Sequence, residues 1–382
     1  MDLARFSEPP SFEGEAALRA EVREFVQEHM AGRPAGERAK SWNGVDFEFS
    51  RKLGQRGWIA MTWPKEYGGH ERSAFERYVV IEELLAAGAP VAAHWIADRQ
   101  SGPLVLRFGS DRQRAEVLPR IARGEAYCCI GMSEPDVGSD LASVKMRAVP
   151  ADGGYRVRGT KLWTTGAHYC HYMVLFCRTG EGDRAAGTSQ FLVDLNSPGI
   201  TISPIEDMSG EKHFNEVHFD DVFLPSESLI GLEGDGWVQV TSELAFERSG
   251  PERFLSSITV LVELIRALAE SGDVGERAEI AIGRLTAHLM ALRHLSQGVA
   301  GMLERGADPV VQAAIVKDLG SIFEQEVPEI ARQLVACEPQ RGSTGAYCDA
   351  LAYTLLNMPS FSLRGGTREI LRGIIARGLG LR

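Results

Sequence analysis

Four places in this chain gather residues able to hold or activate a polar ligand. The segment Tyr127–Asp140, YCCIGMSEPDVGSD, sets Ser133, Ser139 and Asp140 around Pro135 and Gly138. A Pro–Gly loop rich in hydroxyls offers side-chain and backbone donors to polar heterocycles and phosphates. Taken alone, such hydroxyls serve equally well to satisfy their own backbone. The segment Gly159–Thr165, GTKLWTT, places Trp163 and Thr165 two residues apart, so a regular strand turns both to one face. Trp163 by itself also suits a buried core. Near the C-terminus, Thr367 precedes the apolar positions Ile370, Leu371 and Ile374 and is placed to cap a helix. The free N–H groups of such a helix end also favour phosphate. The fourth place is Phe246-Glu247-Arg248, which follows the turn Gly234-Asp235-Gly236-Trp237. Pro251 lies four residues beyond Glu247 and cannot donate to its carbonyl, so a helix continuing through this point kinks there. Breaks in regularity often occur at functional sites. The local pattern alone reads Glu247 as a solvated carboxylate beside Glu243, Arg248 and Arg253.

The elements that must carry these residues change character twice along the chain. The first third has helical spacing: Ala17, Leu18, Val22, Phe25 and Val26 predict a helix over 14–30. Further helices are expected over 47–56, 75–87, 92–108 and 111–123, with a loop at Thr62–Gly69, where Pro64 and a glycine pair break the pattern. The middle third holds short stretches rich in β-branched and aromatic residues, at 155–159, 172–178, 190–195, 200–205 and 216–223. Turn residues such as Asp152-Gly153-Gly154 and Ser197-Pro198-Gly199 separate them, which predicts an antiparallel sheet or small barrel. From Gly236 onward helix returns, with apolar stripes Ile258, Leu261, Val262, Leu264, Ile265 and Ile280, Leu285, Leu289, Leu292, Leu295. The order helix, strand, helix argues for an α+β chain of three units and against alternating βαβ. The units are an N-terminal helical domain over 1–126, a middle β domain (small barrel or sandwich) over 127–232, and a C-terminal four-helix-bundle-like domain over 233–382.

A chain of 382 residues is long enough for two or three domains. Its net charge of −11 argues against nucleic acid or an anionic membrane as main partner. The six cysteines form no CxxC pair and no Cys/His cluster with zinc-ligand spacing, so neither a metal site nor a disulfide framework is expected. No secretory pattern opens the sequence and no apolar run nears the ~20 residues of a spanning helix. A cytoplasmic protein is the expectation.

The composite of these segments resembles the acyl-CoA dehydrogenase family. The family signature of a short apolar run, T/S-E-P, two variable residues and G-S/T-D is met by Ser133-Glu134-Pro135 and Gly138-Ser139-Asp140. Three more matches follow the family order. GWIAMTWPKEYGG at 57–69 is similar to its G-W…P-x-x-x-G-G element, GTKLWTT to its G-x-K-x-W-I/T-T/S strand, and GGTREILRGIIARGLGL at 365–381 to its G-T-x-E-I-Q-R-x-I-I-A ending. The resemblance spans nearly the whole chain and implies FAD as cofactor and an acyl-CoA thioester as substrate.

In such enzymes a base removes the Cα proton while the flavin N5 accepts the Cβ hydride, and donors to the thioester carbonyl stabilise the developing charge. The resemblance assigns Ile130, Met132, Ser133, Ser139, Trp163, Thr165, Thr367 and Glu369 to the cofactor, with Ser139 also at the junction with acyl-CoA. The base in many relatives is a Glu directly before the C-terminal G-T, where this chain has Gly365. Other relatives carry it in an E-R dipeptide some 15 residues past a G-x-G-W turn, which points to Glu247 here, with Arg248 lining the acyl pocket or anchoring its helix. The glycine at 365 then leaves room for Glu247. Asp140 and Glu369 are the next carboxylates to test.

Two family elements that reach the FAD of a neighbouring subunit are absent. SGDVGERAEIAI stands at 271–282 in place of R-x-x-F-G, and QLVACEPQRGSTG at 333–345 in place of Q-x-x-G-G-x-G. Some relatives with this pattern are two-chain assemblies with one FAD per unlike pair, acting on bulky, ring-bearing thioesters. The resemblance therefore implies an oligomer, dimer or tetramer, formed with itself or with a paralogous chain. An electron-transfer flavoprotein is the expected electron acceptor. The alternatives are a flavin oxidase or monooxygenase of the same fold using dioxygen, and a subunit that completes a partner's FAD site.

Overall fold

The computed structural model describes residues 5–182, 185–247, 250–272 and 274–381, with the backbone alone described for 243–247. Among the described residues the helices come first: α1 Glu15–Met30, α2 Ala35–Lys40, α3 Phe47–Gln55, α4 Ala74–Ala86, α5 Ala92–Ile96, α6 Gly102–Phe108 and α7 Asp111–Ala122. Seven strands follow: β1 Cys128–Gly131, β2 Arg147–Ala151, β3 Gly154–Thr165, β4 Tyr172–Arg178, β5 Thr188–Asp194, β6 Ile200–Ile205 and β7 Phe214–Pro225. Helices then return as α8 Gly236–Glu247, α9 Ile258–Ser271, α10 Glu276–Glu304, α11 Val310–Leu334, α12 Ala346–Asn357 and α13 Arg368–Gly378. The α+β order of helices, sheet and helices is the one the periodicities predict.

The chain forms two compact units. One is helical and takes residues up to Val45, Arg72–Ala92 and Ala245 onward; the other takes Asp46–Glu71 and Ala93–Leu244 and contains the whole sheet. In the helical unit Ser73 starts α4 with a reciprocal capping box to Glu76. The charged network of that unit begins on the same helix. Glu82 and Glu83 take Arg19 of α1, and Glu82 also takes Arg293 of α10 at 2.7 Å.

In the sheet-bearing unit the strand order is β1-β4-β2-β3-β7-β6, with β5 added on β4. The long pairings β3·β7, β4·β5 and β6·β7 are antiparallel, as the short alternating stretches predict. β1 instead pairs β4 in parallel, and β2 touches β4 by one parallel bridge. β1 and β2 are also the two strands that periodicity does not single out: each is short, and β1 is buried at three of its four positions, so neither alternates like a half-exposed strand. The core under the sheet is formed by Val157, Met173, Leu175, Phe191, Val193, Val217 and Phe219.

Three places depart from a regular helical path. The helix expected over 92–108 widens into a π turn at Ala97–Ser101. Pro103, just inside the next segment, lacks an N–H to continue the ladder, and buried Asp98 turns aside to accept the Ala60 N–H at 2.7 Å. The loop at 62–69 closes on Trp63, whose carbonyl lies where a Cβ on Gly69 would stand, so only glycine fits there. The expected proline kink in a continuing helix does not occur. α8 ends at Glu247, and Pro251 opens a separate short 3₁₀ turn, Pro251–Arg253, since proline's fixed φ and missing N–H suit a first helical position.

Candidate cofactor and active site

The proposed flavin-facing residues of the sheet-bearing unit lie on two neighbouring segments, the chain leaving β1 and the last turn of β3. Ile130 is half-buried on β1, Met132 and Ser133 are half-buried just beyond it, and Ser139 is exposed in the following loop. The Ser133 carbonyl accepts the Leu162 N–H at 2.9 Å, which ties this loop to β3. β3 is not regular there. Its register against β7 shifts between Lys161 and Thr164, and Trp163 has φ 60°, a left-handed value rare for a bulky residue. The simple alternation expected for Trp163 and Thr165 is thus replaced by a bulge, which re-aims side chains. Lys161 and Thr164 point into the core, Thr165 is half-buried, and Trp163 is 55% exposed beside Phe214. A core role for Trp163 is excluded by that exposure. Strained, exposed aromatic residues are characteristic of ligand sites.

The exposed Trp163 indole stands on a strand that also carries the Thr165 hydroxyl and that is hydrogen-bonded at Leu162 to the segment carrying the Ser133 hydroxyl. That donor set fits a flat, polar-edged heteroaromatic ring such as the isoalloxazine of FAD.

Beneath the two segments lies a pair that sequence reading did not single out. Lys161 is fully buried, and its Nζ lies 2.9 Å from Glu134 Oε1 and 3.0 Å from the Met132 carbonyl. Burial lowers the Lys161 pKa, partly offset by the charge of Glu134 and its hydrogen bond. Glu134 also accepts the N–H groups of Lys145 at 2.8 Å and Met146 at 3.0 Å.

In the helical unit Thr367 caps α13, its side chain accepting the Ile370 N–H at 3.4 Å. Glu369 is exposed, and its carboxylate is held below the usual range by its own backbone N–H and then by the Thr367 hydroxyl. Thr367 is thus the helix N-cap that the sequence suggests, with the Ile370 N–H taken by its hydroxyl and the Glu369 N–H by the Glu369 carboxylate. α13 is fastened to α11 by Arg368 and Arg372, both on Asp318, at 2.7 and 3.4 Å.

Gly365 has φ 66°, and a Cβ there would stand 3.1–3.2 Å from the guanidinium of Arg253, a residue only 4% exposed. The expectation that Gly365 leaves open room is corrected: a buried cation already lies against it. Arg364 is packed between the rings of Trp42 and Phe361, at 4.3 and 4.5 Å, and pairs with fully buried Glu324 at 2.9 Å. Glu247 ends α8 and its side chain lies outside the described atoms; Arg248 lies outside the described residues.

Comparison with known proteins accords with this geometry. Residues 13–125 match the model of the acyl-CoA dehydrogenase N-terminal domain and residues 129–222 that of the acyl-CoA dehydrogenase middle domain. This chain belongs to the acyl-CoA dehydrogenase family, whose members are FAD flavoproteins, and is an oxidoreductase acting on acyl-CoA. Among relatives, acyl-CoA dehydrogenase IpdE1 of Mycobacterium tuberculosis is 32% identical over 378 residues, covering 95% of this chain and 97% of its own length. Among solved structures, the Tcur3481-Tcur3483 steroid ACAD superposes with a TM-score of 0.87 at 26% identity over all of both chains. The ChsE4-ChsE5 complex from Mycobacterium tuberculosis gives 0.86 at 27%, over 98% of each chain. No helix among the described residues is long and apolar enough to cross a membrane.

Proposed function

We propose that this chain dehydrogenates a bulky, ring-bearing acyl-CoA thioester across Cα–Cβ, with Glu247 as the base. FAD, when bound, supplies the hydride acceptor. Ile130, Met132, Ser133, Ser139, Trp163, Thr165, Thr367 and Glu369 are its proposed contacts. Ser139 also meets the thioester, and Arg248 lines the acyl pocket or anchors its helix. Glu247 takes the Cα proton, and backbone donors to the thioester carbonyl hold the charge that develops on its oxygen.

The observation that carries this reading is the pairing of Gly365 with Arg253. The usual position of the base has no side chain and faces a guanidinium, while Glu247 ends α8 at the alternative position. The ring-bearing substrate and an assembly with a paralogous chain are supported by the neighbours described as a steroid ACAD and as a two-chain complex. An electron-transfer flavoprotein is the proposed electron acceptor and the cytoplasm the proposed location.

The test is anaerobic mixing of flavin-loaded protein with straight, branched and ring-bearing acyl-CoA thioesters, following loss of flavin absorbance in wild type and Glu247→Gln. Ring-bearing thioesters should bleach the wild type fastest. Bleaching of the mutant within about threefold of wild type would remove Glu247 as the base, since a positioned base typically contributes on the order of 10²–10⁴ in rate.

A second reading, a subunit that completes a partner's FAD site, is favoured by the two replaced family elements. They fall at the α9–α10 turn and the loop between α11 and α12. The FAD content of the chain purified alone, and then with its paralogue, separates the two.

A further inference from the structure

The buried pair Lys161–Glu134 has more contacts than neutralisation requires. Exchanging such a pair for apolar residues of similar size is often neutral or stabilising, because taking two charges out of water offsets their attraction. Stability alone therefore gives little reason to keep it. Its bonds, however, gather around the segment of Met132 and Ser133, which is assigned to the cofactor. The ammonium takes the Met132 carbonyl at 3.0 Å, just beyond β1. The carboxylate of Glu134 closes the loop that follows, by accepting the N–H groups of Lys145 and Met146. The Glu134 N–H and C=O close a tight turn with Val137, at 2.8 and 3.0 Å. One residue past Lys161, the Leu162 N–H takes the Ser133 carbonyl, and one residue further the chain enters its left-handed step at Trp163. The carbonyls of Met132 and Ser133 are thus both committed to β3, and the spacing between the Ser133 segment and the Trp163 bulge is set from beneath by one side chain.

We propose that Lys161 is a positioning residue for the flavin, clamping the Met132–Glu134 segment to β3 so that the Ser133 hydroxyl and the Trp163–Thr165 turn meet opposite parts of one ring. The proposal rests on the assignment of those residues to FAD under the reading above. Lys161 itself touches no cofactor. Its effect is transmitted through the Met132 carbonyl and through Glu134.

The experiment uses the full chain, with its paralogue if loading requires one, stripped of FAD and titrated with FAD. The variants are K161M, the double variant E134Q/K161M, S133A and T165V. K161M leaves a carboxylate buried without its cation and is expected to lose stability. The double variant removes both charges, and the single amide oxygen that replaces the carboxylate at 134 still accepts one of the two loop N–H groups, so it should be less stable than wild type and more stable than K161M. It should nevertheless bind FAD at least about tenfold more weakly, with a shifted and broadened flavin band. S133A and T165V should each weaken FAD by about three- to tenfold, the range of one hydrogen bond.

A double variant that folds with wild-type FAD affinity and spectrum, while S133A and T165V weaken binding, overturns this proposal and leaves the site assignment standing. S133A and T165V without effect, in a wild type that binds FAD, overturn the assignment and the proposal together. Failure of the double variant to fold overturns it also, since the pair would then be a determinant of the β fold instead of the loop's position.

Discussion

Each compact unit buries a strong ion pair, and the two are built differently. In the sheet-bearing unit Lys161 is a point charge that donates to a carbonyl and a carboxylate, and Glu134 is filled by one ammonium and two backbone N–H groups. In the helical unit Arg364 lies flat between Trp42 and Phe361. Its Nη2 alone makes its hydrogen bonds, to Ser256 at 2.6 Å, the Glu252 carbonyl and Glu324, while Nε and Nη1 make none among the described residues. A guanidinium with its faces on aromatic rings gains from stacking as well as from charge. The lysine acts as an anchor for backbone and the arginine as a plate that joins packed segments. The first kind of site tunes the position of a loop. The second holds the place where the C-terminal segment meets α11 and the Pro251–Arg253 turn.

The largest expected effect separates chemistry from cofactor grip. Glu247→Gln should lower the flavin-bleaching rate by about 10²–10⁴ and leave FAD affinity within about threefold, whereas Ser133→Ala should weaken FAD by about three- to tenfold and leave the bleaching rate of loaded protein within about threefold. If both variants change rate and affinity together, the division of labour between the two residues fails.

Next in size is the plate itself. Arg364→Met leaves Glu324 buried without a cation and should cost about 3–5 kcal/mol, the usual consequence of breaking a buried pair. Urea denaturation followed by circular dichroism would measure it. A loss below about 1 kcal/mol would mean that stacking on Trp42 and Phe361, which methionine retains, does most of the holding.

The third concerns acid. His94 is 5% exposed and shares a 2.8 Å hydrogen bond with Ser50, and burial holds its pKa down at about 4 against the ordinary 6.5, with Asp98 only partly opposing. Between those values the unfolded chain takes up a proton that the folded chain refuses, so stability is lost as pH falls from 6.5 toward 4. The loss amounts to roughly 3 kcal/mol, and His94→Asn should flatten the slope. Amide exchange in α3 and α5 between pH 7 and 5 would show whether acid opens the sheet-bearing unit first. An unchanged slope in the variant would assign the acid sensitivity elsewhere.

The smallest expected effect is an absence of rescue. A carboxylate added at 365 in Glu247→Gln would meet Arg253, whose charge lowers a neighbouring acid's pKa and makes it a poorer base. It would also adopt a left-handed backbone at a cost of about 1–2 kcal/mol. Turnover should stay within about tenfold of Glu247→Gln alone. Recovery to near wild type would show that Arg253 swings clear.

How far the sequence reveals this follows from what each signal depends on. Helices whose apolar spacing was regular, such as α1 and α3, and strands bounded by turn residues, such as β4 and β6, have bounds within a residue of those expected. The π turn at Ala97–Ser101 and the bulge at Trp163 were not legible, because both arise from contacts made across the fold, by Asp98 with Ala60 and by β3 with β7. Ser133, Trp163 and Thr165 were singled out by the resemblance of their motifs to the family's, and the fold brings their segments together. Lys161, Glu134 and Arg253 were passed over for a single reason. A charge in a motif is read as solvated until the fold shows it buried, and burial is a property of the whole chain.

The left-handed step at Trp163 also has an optical consequence. Of the six tryptophans, this is the one that is more than half exposed. Its indole fluorescence should therefore emit furthest to the red, and a yellow chromophore against that face would absorb the emission by resonance transfer. Selective excitation at the red edge would then make the protein its own gauge of cofactor occupancy, readable without label or turnover.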